Sequence, residues 1–159
     1  DTTVTERPSG EQLAEIAIQT AAVARRMGHE PRVAFLSYSN FGNPEGNYLE
    51  RIRDAVKIMD ARDDIDFEYE GEMSPDTALD PELQKLYPFM RLKGPANVLV
   101  MPGLQTANIS AKLLRELGGD AVIGPMLVGM KQQVQIAAMS SSASDLVTLA
   151  VLAAGKIVR

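Results

Sequence analysis

The chain has 159 residues, 45% of them hydrophobic and 23% charged, with a formal net charge of −5. That balance suits one globular domain with a sizeable core and excludes a disordered chain. It has no cysteine and a single histidine, His29, which excludes disulfides, thiolate metal sites, a cysteine nucleophile and multi-histidine metal clusters.

In chain order, residues 1–4 read as a short strand. Ser9 and Gln12 form a capping box, and Leu13, Ile16, Ala17, Thr20, Ala21, Ala24 and Met27 follow at helical spacing to a C-cap at Gly28. Residues 32–37 (RVAFLS) predict a buried strand, and residues 40–47 a loop with Gly42, Pro44 and Gly46. Residues 48–59 form an amphipathic helix with Leu49, Ile52, Val56 and Met59 on one face. Residues 66–72 alternate as a strand and 81–92 read as a helix. Residues 97–101 (NVLVM) are an apolar strand stopped by Pro102-Gly103. A helix over 108–117, strands at 121–123 and 134–138, and a final helix over 142–154 complete the chain. Ser142 caps that helix, with Asp145 three residues on.

Strands that alternate with helices and read as apolar runs indicate a mostly parallel sheet covered on both faces. The expected fold is α/β, a three-layer α/β/α sandwich with residues 1–159 as one domain. The first residue is Asp1, not Met, and the expectation is a fragment of a longer chain. No stretch approaches the ~20 apolar residues that span a bilayer, and residues 1–4 lack the basic and apolar character of a signal peptide. A cytoplasmic location with no membrane partner is therefore expected.

Charge is uneven. Residues 60–82 carry ten acidic side chains against Arg62 alone, a net −9 that leaves +4 on the remainder. The acidic stretch reads as a solvated strand and loop, since the D-x-D-x-D-G calcium pattern is absent. The mildly basic remainder suits a small phosphorylated ligand. No dense Lys/Arg run with interleaved aromatics occurs, so nucleic acid is not an expected partner.

Ligands of such sheets bind beyond the C-terminal strand ends, here residues 37–42, 101–103, 124–125 and 138–140. Ser37, Ser39 and Gly42 could cradle a phosphate with hydroxyls and backbone amides, or form an ordinary strand-to-helix turn. There is no G-x-x-x-x-G-K-[ST] loop and no G-x-G-x-x-G turn. Ser140, Ser141, Ser142 and Ser144 either cap the last helix or offer hydroxyls to an anion. Asp145 reads as a general base or as a first-turn acid complementing the helix dipole. His29 follows a helix end, and Met126, Met130 and Met139 read as core filler.

Several segments, in order, resemble the phosphotransacetylase family (phosphate acetyl/butyryltransferases). They are Asp1-Thr2-Thr3-Val4 with Glu11-Gln12-Leu13-Ala14-Glu15-Ile16-Ala17, Val33-Ala34-Phe35-Leu36-Ser37-Tyr38-Ser39, Asn97-Val98-Leu99-Val100-Met101-Pro102 with Asn108-Ile109, and Gly124-Pro125-Met126-Leu127-Val128-Gly129-Met130. The resemblance implies the second half of a unit that transfers acetyl between phosphate and coenzyme A. That family uses a V-N-D-L-S-R-G stretch, whose serine and arginine handle the thiol and the acetyl phosphate, and a later aspartate as base. The matching stretch here is Val134-Gln135-Ile136-Ala137-Ala138-Met139-Ser140. Ala138 replaces the serine and Met139 the arginine, while Asp145 matches the aspartate. The family's phosphate loop is changed to Asn40-Phe41-Gly42-Asn43-Pro44-Glu45-Gly46. Loss of one electrostatic stabiliser costs ~10²–10³ in rate.

A unit without that pair resembles the C-terminal part of the hybrid NADP-dependent malic enzymes. The resemblance then implies no catalytic and no metal residue in this chain, and acetyl-CoA as an effector. The implied contacts are Ser37, Ser39, Asn40, Phe41, Gly42, Asn108, Lys131, Met139, Ser140 and Asp145. NADP and a divalent metal belong only to malic parts outside the chain. Leu146, Leu149, Ala150 and Ala153 on the last helix suggest a homo-oligomer, a dimer or higher. Two other readings stand beside this one: an active phosphate acetyltransferase completed by an N-terminal half or a partner subunit, and a purely structural dimerisation module.

Overall fold

The computed structural model describes residues 1–118, 122–132 and 134–155. Helix α1 spans Gly10–Arg26 and is held at its start by the expected capping box: Gln12 N donates to Ser9 Oγ, and Ser9 N donates to Gln12 Oε1 at 2.9 Å. Strand β1 (Arg32–Leu36) follows, then a 3₁₀ turn at Asn47–Leu49 leading into α2 (Glu50–Asp60). Strand β2 (Glu68–Met73), the short helices α3 (Pro75–Leu79) and α4 (Pro81–Gln84), and β3 (Val98–Val100) come next. Helices α5 (Leu104–Leu117) and α6 (Ala143–Ala154) complete the described elements. The strands are parallel in the order β2-β1-β3.

The period of two along β1 builds two cores. Val33 and Phe35 point to one face, where Val98 and Val100 join Leu13 and Ala17 of α1 and Ile52, Ala55 and Met59 of α2. Ala34 and Leu36 point to the other, under Met73, Ala78, Leu92 and Ala96. The sheet is thus an α/β layer covered on both faces, as the alternating sequence requires.

Several expected elements differ, each for a local reason. Residues 1–4 form no strand, because the Asp1 carboxylate accepts the amides of Thr3, Val4 and Thr5 at 2.7–2.8 Å and curls the segment around itself. The helix expected over 81–92 ends at Gln84; Pro88 restricts the residue before it, and the chain turns away. Helix α3 escaped notice although Pro75 stands at its first position, where proline is favoured. Helix α5 begins at Leu104, before the expected 108, so Pro102-Gly103 starts a helix as well as ending a strand. Residues 122–123 and 134–138 carry no strand. Val122, Ile123 and Val134 are 45%, 56% and 45% exposed, without the burial that a core strand needs. Ala121 lies outside the described residues.

The acidic stretch is also less solvated than expected. Strand β2 reads EYEGEM, not an apolar run, and it buries Glu70 and Glu72. Carboxylates of the acidic stretch meet cations from remote parts of the chain: Asp66 with Arg25, Glu72 with Arg53, Asp60 and Glu70 with Arg91, and Glu68 with Lys93. Sequence proximity shows acid beside acid, whereas the sheet brings in the compensating charge. No described helix is long and apolar enough to cross a membrane.

Candidate functional site

The end of β2 carries a bulge: Phe35 pairs with Gly71 and Leu36 with Met73, which leaves Glu72 as the extra residue. Bulges re-aim a side chain. Gly71 makes this one possible, since a Cβ there would stand 2.6 Å from Phe35 Cβ. The Glu72 side chain, 1% exposed, accepts hydrogen bonds from Ser39 Oγ (2.9 Å), Gly42 N (2.9 Å) and both Arg53 Nε (2.8 Å) and Nη2 (2.9 Å). Burial pushes its carboxyl up, but the bonds from Arg53, Ser39 and Gly42 and the Arg53 charge outweigh it and hold the group below the usual carboxylate range. Backbone bonds from Phe41 N to Glu72 O and Ser37 N to Met73 O fix the same loop, and Asn40 Oδ1 accepts from both Ser74 N and Ser74 Oγ.

The loop over 37–42 therefore does cradle an anion, and the anion is the chain's own Glu72. Ser39 is fully buried on it, and the Gly42 amide is engaged by it. Phe41, with φ 51°, packs its ring 5.0 Å from those of Tyr87 and Phe89. Of the loop residues proposed from the sequence, Ser37 lines open space: a cleft of about 820 Å³ at the C-terminal ends of β1 and β3, shared with Tyr38, Tyr48, Met101 and the start of α5. Arg7 and Arg51 line the same cleft.

A second neighbourhood, a pocket of about 490 Å³, lies beside the start of α6. Ala138, Ser140, Ser141, Ser144, Asp145 and Arg115 of α5 are among its lining. Ser142 caps the helix, and Asp145 Oδ2 accepts from Ser142 N and Ser142 Oγ, each at 2.8 Å. The Ser142 amide and hydroxyl hold the Asp145 carboxyl below its usual range, and the Arg115 charge adds to the effect. Such a carboxylate is well placed as a helix cap and weak as a proton acceptor near neutral pH.

The remaining proposed residues are dispersed. Asn108 Nδ2 donates to Thr2 O at 3.0 Å and so tethers the N-terminal segment. Lys131 is exposed, and the Met139 side chain is fully exposed, unlike the core filler the sequence suggested. The proposed set thus divides between the strand-end loop, the start of α6 and three residues, Asn108, Lys131 and Met139, that belong to neither. Sequence reading missed Glu72, Arg53, Arg115, Arg7 and Arg51. The E-G-E run around Gly71 was a visible irregularity, but no spacing rule links it to Arg53, 19 residues earlier. Among the described residues, no three His, Asp or Glu side chains gather to hold a metal ion.

The sequence pattern of the phosphate acetyl/butaryl transferase family matches residues 1–154. The chain belongs to this family. Its relatives include two kinds. The NADP-dependent malic enzyme of Rhizobium meliloti is 56% identical over 97% of this chain, which spans 20% of that enzyme. The phosphate acetyltransferase of Bacillus subtilis is 35% identical over 98% of this chain, which spans 48% of it. Among solved structures, a phosphotransacetylase from Streptococcus pyogenes superposes with a TM-score of 0.91 at 33% identity, covering 99% of this chain and 48% of that one. This phosphotransacetylase-like chain therefore spans about a fifth of that malic enzyme and about half of the Bacillus subtilis and Streptococcus pyogenes proteins.

Proposed function

We propose that the chain is a noncatalytic, acetyl-CoA-responsive regulatory and oligomerisation unit of an NADP-dependent malic enzyme. Oxidative decarboxylation of malate to pyruvate, with NADP and a divalent metal, would belong to parts outside this chain. The observation that carries the reading is the pair Ala138 and Met139, where the resemblance calls for serine and arginine. Alanine has no hydroxyl to place a thiol, and methionine no charge to meet a phosphoryl group. The capped state of Asp145 supports the same reading, as does identity with malic enzymes extending over nearly the whole chain. The test is malate oxidation by the full-length protein at varied acetyl-CoA, together with acetyl transfer from acetyl phosphate to coenzyme A. Inhibition by acetyl-CoA with no transfer is the expected result. Transfer at the rate of an ordinary phosphotransacetylase would overturn the noncatalytic reading.

A second reading is an active phosphate acetyltransferase. It is favoured by one observation: Arg115 and Asp145 line the same pocket as three serine hydroxyls, so a cation and an acid are still present there. The transfer assay separates the two readings directly.

A further inference from the structure

A third pocket, of about 340 Å³, opens between residues 1–5, one side of α1 and residues 125–130. It shares Ile136 with the serine pocket and no residue with the strand-end cleft. Gln12, Glu15, Ile16, Gln19 and Thr20 recur at helical spacing, so one stripe of α1 forms a wall. It runs beside the stripe that Leu13, Ala14, Ala17 and Ala21 bury in the core. The opposite wall has no regular secondary structure, yet it is pinned. Arg115 Nη2 donates to Gly124 O at 2.9 Å. Leu127 N donates to Gln135 Oε1 at 3.0 Å, and Gln135 Nε2 donates back to Leu127 O at 3.2 Å. One side-chain amide thus satisfies both backbone groups, as a neighbouring strand would. Gly129, with φ 77°, lies against α1, where a Cβ would stand 2.7 Å from Gln19 Oε1.

The lining is apolar with a rim of one charge sign. Ile16, Met126, Leu127, Val128, Met130 and Ile136 supply most of its surface, and methionine adapts its shape to what it meets. The charged residues that line it are Asp1 and Glu15; no Lys, Arg or His among the described residues does. The Asp1 carboxylate is committed to the amides of Thr3, Val4 and Thr5. Glu15 accepts one bond, from Gln19 Nε2 at 2.6 Å, and a carboxylate has room for further donors. Arg62 feels the Glu15 charge, but its Nε and Nη2 are held by Asp64 and it lies outside the lining. A ligand here buries an apolar body and meets negative charge at the mouth.

We propose that this pocket binds a compact apolar monocation, an amine with its hydrocarbon body against Met126, Val128 and Met130 and its ammonium group at Glu15. The volume sets the size, since ligand pockets run from about 300 to 1,000 Å³ and this one stands at the small end. The rim sets the sign. The site goes beyond the acetyl-CoA reading and does not rest on it, because acetyl-CoA is a large anion. The experiment titrates full-length protein carrying ¹³C-methyl methionine with benzylamine, benzyl alcohol and benzoate. These probes share one body and differ in head-group charge. The Met126 and Met130 methyl signals, assigned with Met126→Leu and Met130→Leu, report binding. Those of Met59 and Met73, both fully buried, serve as internal controls. Glu15→Gln and Met130→Gln alter exposed positions, and thermal melts verify folding.

Benzylamine is expected to shift the Met126 and Met130 signals at the lowest concentration, benzyl alcohol next and benzoate last. Glu15→Gln should weaken benzylamine about threefold to fivefold, the scale of an ion pair at an exposed carboxylate, and leave benzyl alcohol unchanged. Met130→Gln, read at Met126, should weaken benzylamine and benzyl alcohol alike, because it removes apolar wall and leaves the charge. Three results overturn the proposal: no shift at either methionine with millimolar benzylamine, benzoate binding as tightly as benzylamine, or an amine preference that survives Glu15→Gln. Each of these leaves the acetyl-CoA reading untouched, since that reading is tested by inhibition of malate oxidation and not by these probes.

Discussion

Glu72 shows how one side chain can organise a loop. Its carboxylate ties Ser39, Gly42 and Arg53 together from a buried position. Glu72→Gln keeps the shape and removes the charge, and it is expected to cost about 1.5–3 kcal/mol, the range for hydrogen bonds to charged groups. Hydrogen exchange should quicken at the amides of Phe41 and Gly42; unaltered protection at Gly42 would refute the role. The pH dependence follows from the lowered folded pKa. The contribution is complete above the unfolded value of about 4.3 and is lost as pH falls through the still lower folded value. Urea midpoints should therefore fall with acid more steeply in wild type than in Glu72→Gln. Tyr69 behaves in the opposite sense. Burial and then the bond to Asp60, at 2.7 Å, push its phenol up to about 12. Its neutral form is favoured in the fold, so its contribution is complete below the unfolded value of about 10 and is lost as pH rises through about 12. The difference in phenolate absorbance between wild type and Tyr69→Phe should titrate near 12; a midpoint near the ordinary tyrosine value would count against the Asp60 contact.

At the scale of elements, the bulge in β2 links packing to the loop. Because a Cβ at Gly71 would meet Phe35 Cβ at 2.6 Å, Gly71→Ala must push the two strands apart. The expected loss is about 1–3 kcal/mol, as for other overpacked cores, accompanied by the same loop loosening as in Glu72→Gln. A stable variant with a protected Gly42 amide would show that the bulge is not what aims Glu72. Helix α6 depends on a different device. Its capping box joins Ser142 and Asp145, so Ser142→Ala should fray the first turn and raise the Asp145 pKa, measurable by hydrogen exchange and by carboxyl titration in the NMR spectrum.

Over the whole molecule, burial is lopsided. The sheet with α1 and α2 is closed on both faces. Helices α5 and α6 instead leave apolar side chains in the open, with Leu113, Leu114 and Leu117 at 53%, 62% and 80% exposure and Leu146, Val147 and Val151 at 49%, 63% and 64%. Exposed large apolar side chains gathered on two helices are the raw material of interaction sites. They support the proposed assembly role. Light scattering of the full-length protein should give a dimer or larger species at micromolar concentration, and Leu117→Glu should shift it toward monomer without lowering the melting temperature. A wild-type monomer would reject the oligomerisation role.

What the sequence determined by itself is what short-range periodicity and motif order can carry. The capping box at Ser9, the buried face of α1 and α2 and the apolar strands β1 and β3 follow from spacing within one segment, and the parallel covered sheet from the alternation of strands with helices along the chain. The family is likewise carried by linear order, and so is the expectation, from the resemblance, that Ala138 and Met139 stand where it has serine and arginine. The tertiary structure alone decided which charges meet. Glu72 finds Arg53 across 19 residues and Asp66 finds Arg25 across 41, because the order β2-β1-β3 and the packing of α1 and α2 bring them together. It also decided that Ser39 and Gly42 serve an internal carboxylate, and that Arg7 and Arg51 meet in one cleft. Periodicity reports which face of an element is buried. It carries no information about which remote side chain lies opposite, and that pairing is where the sites of this protein are made.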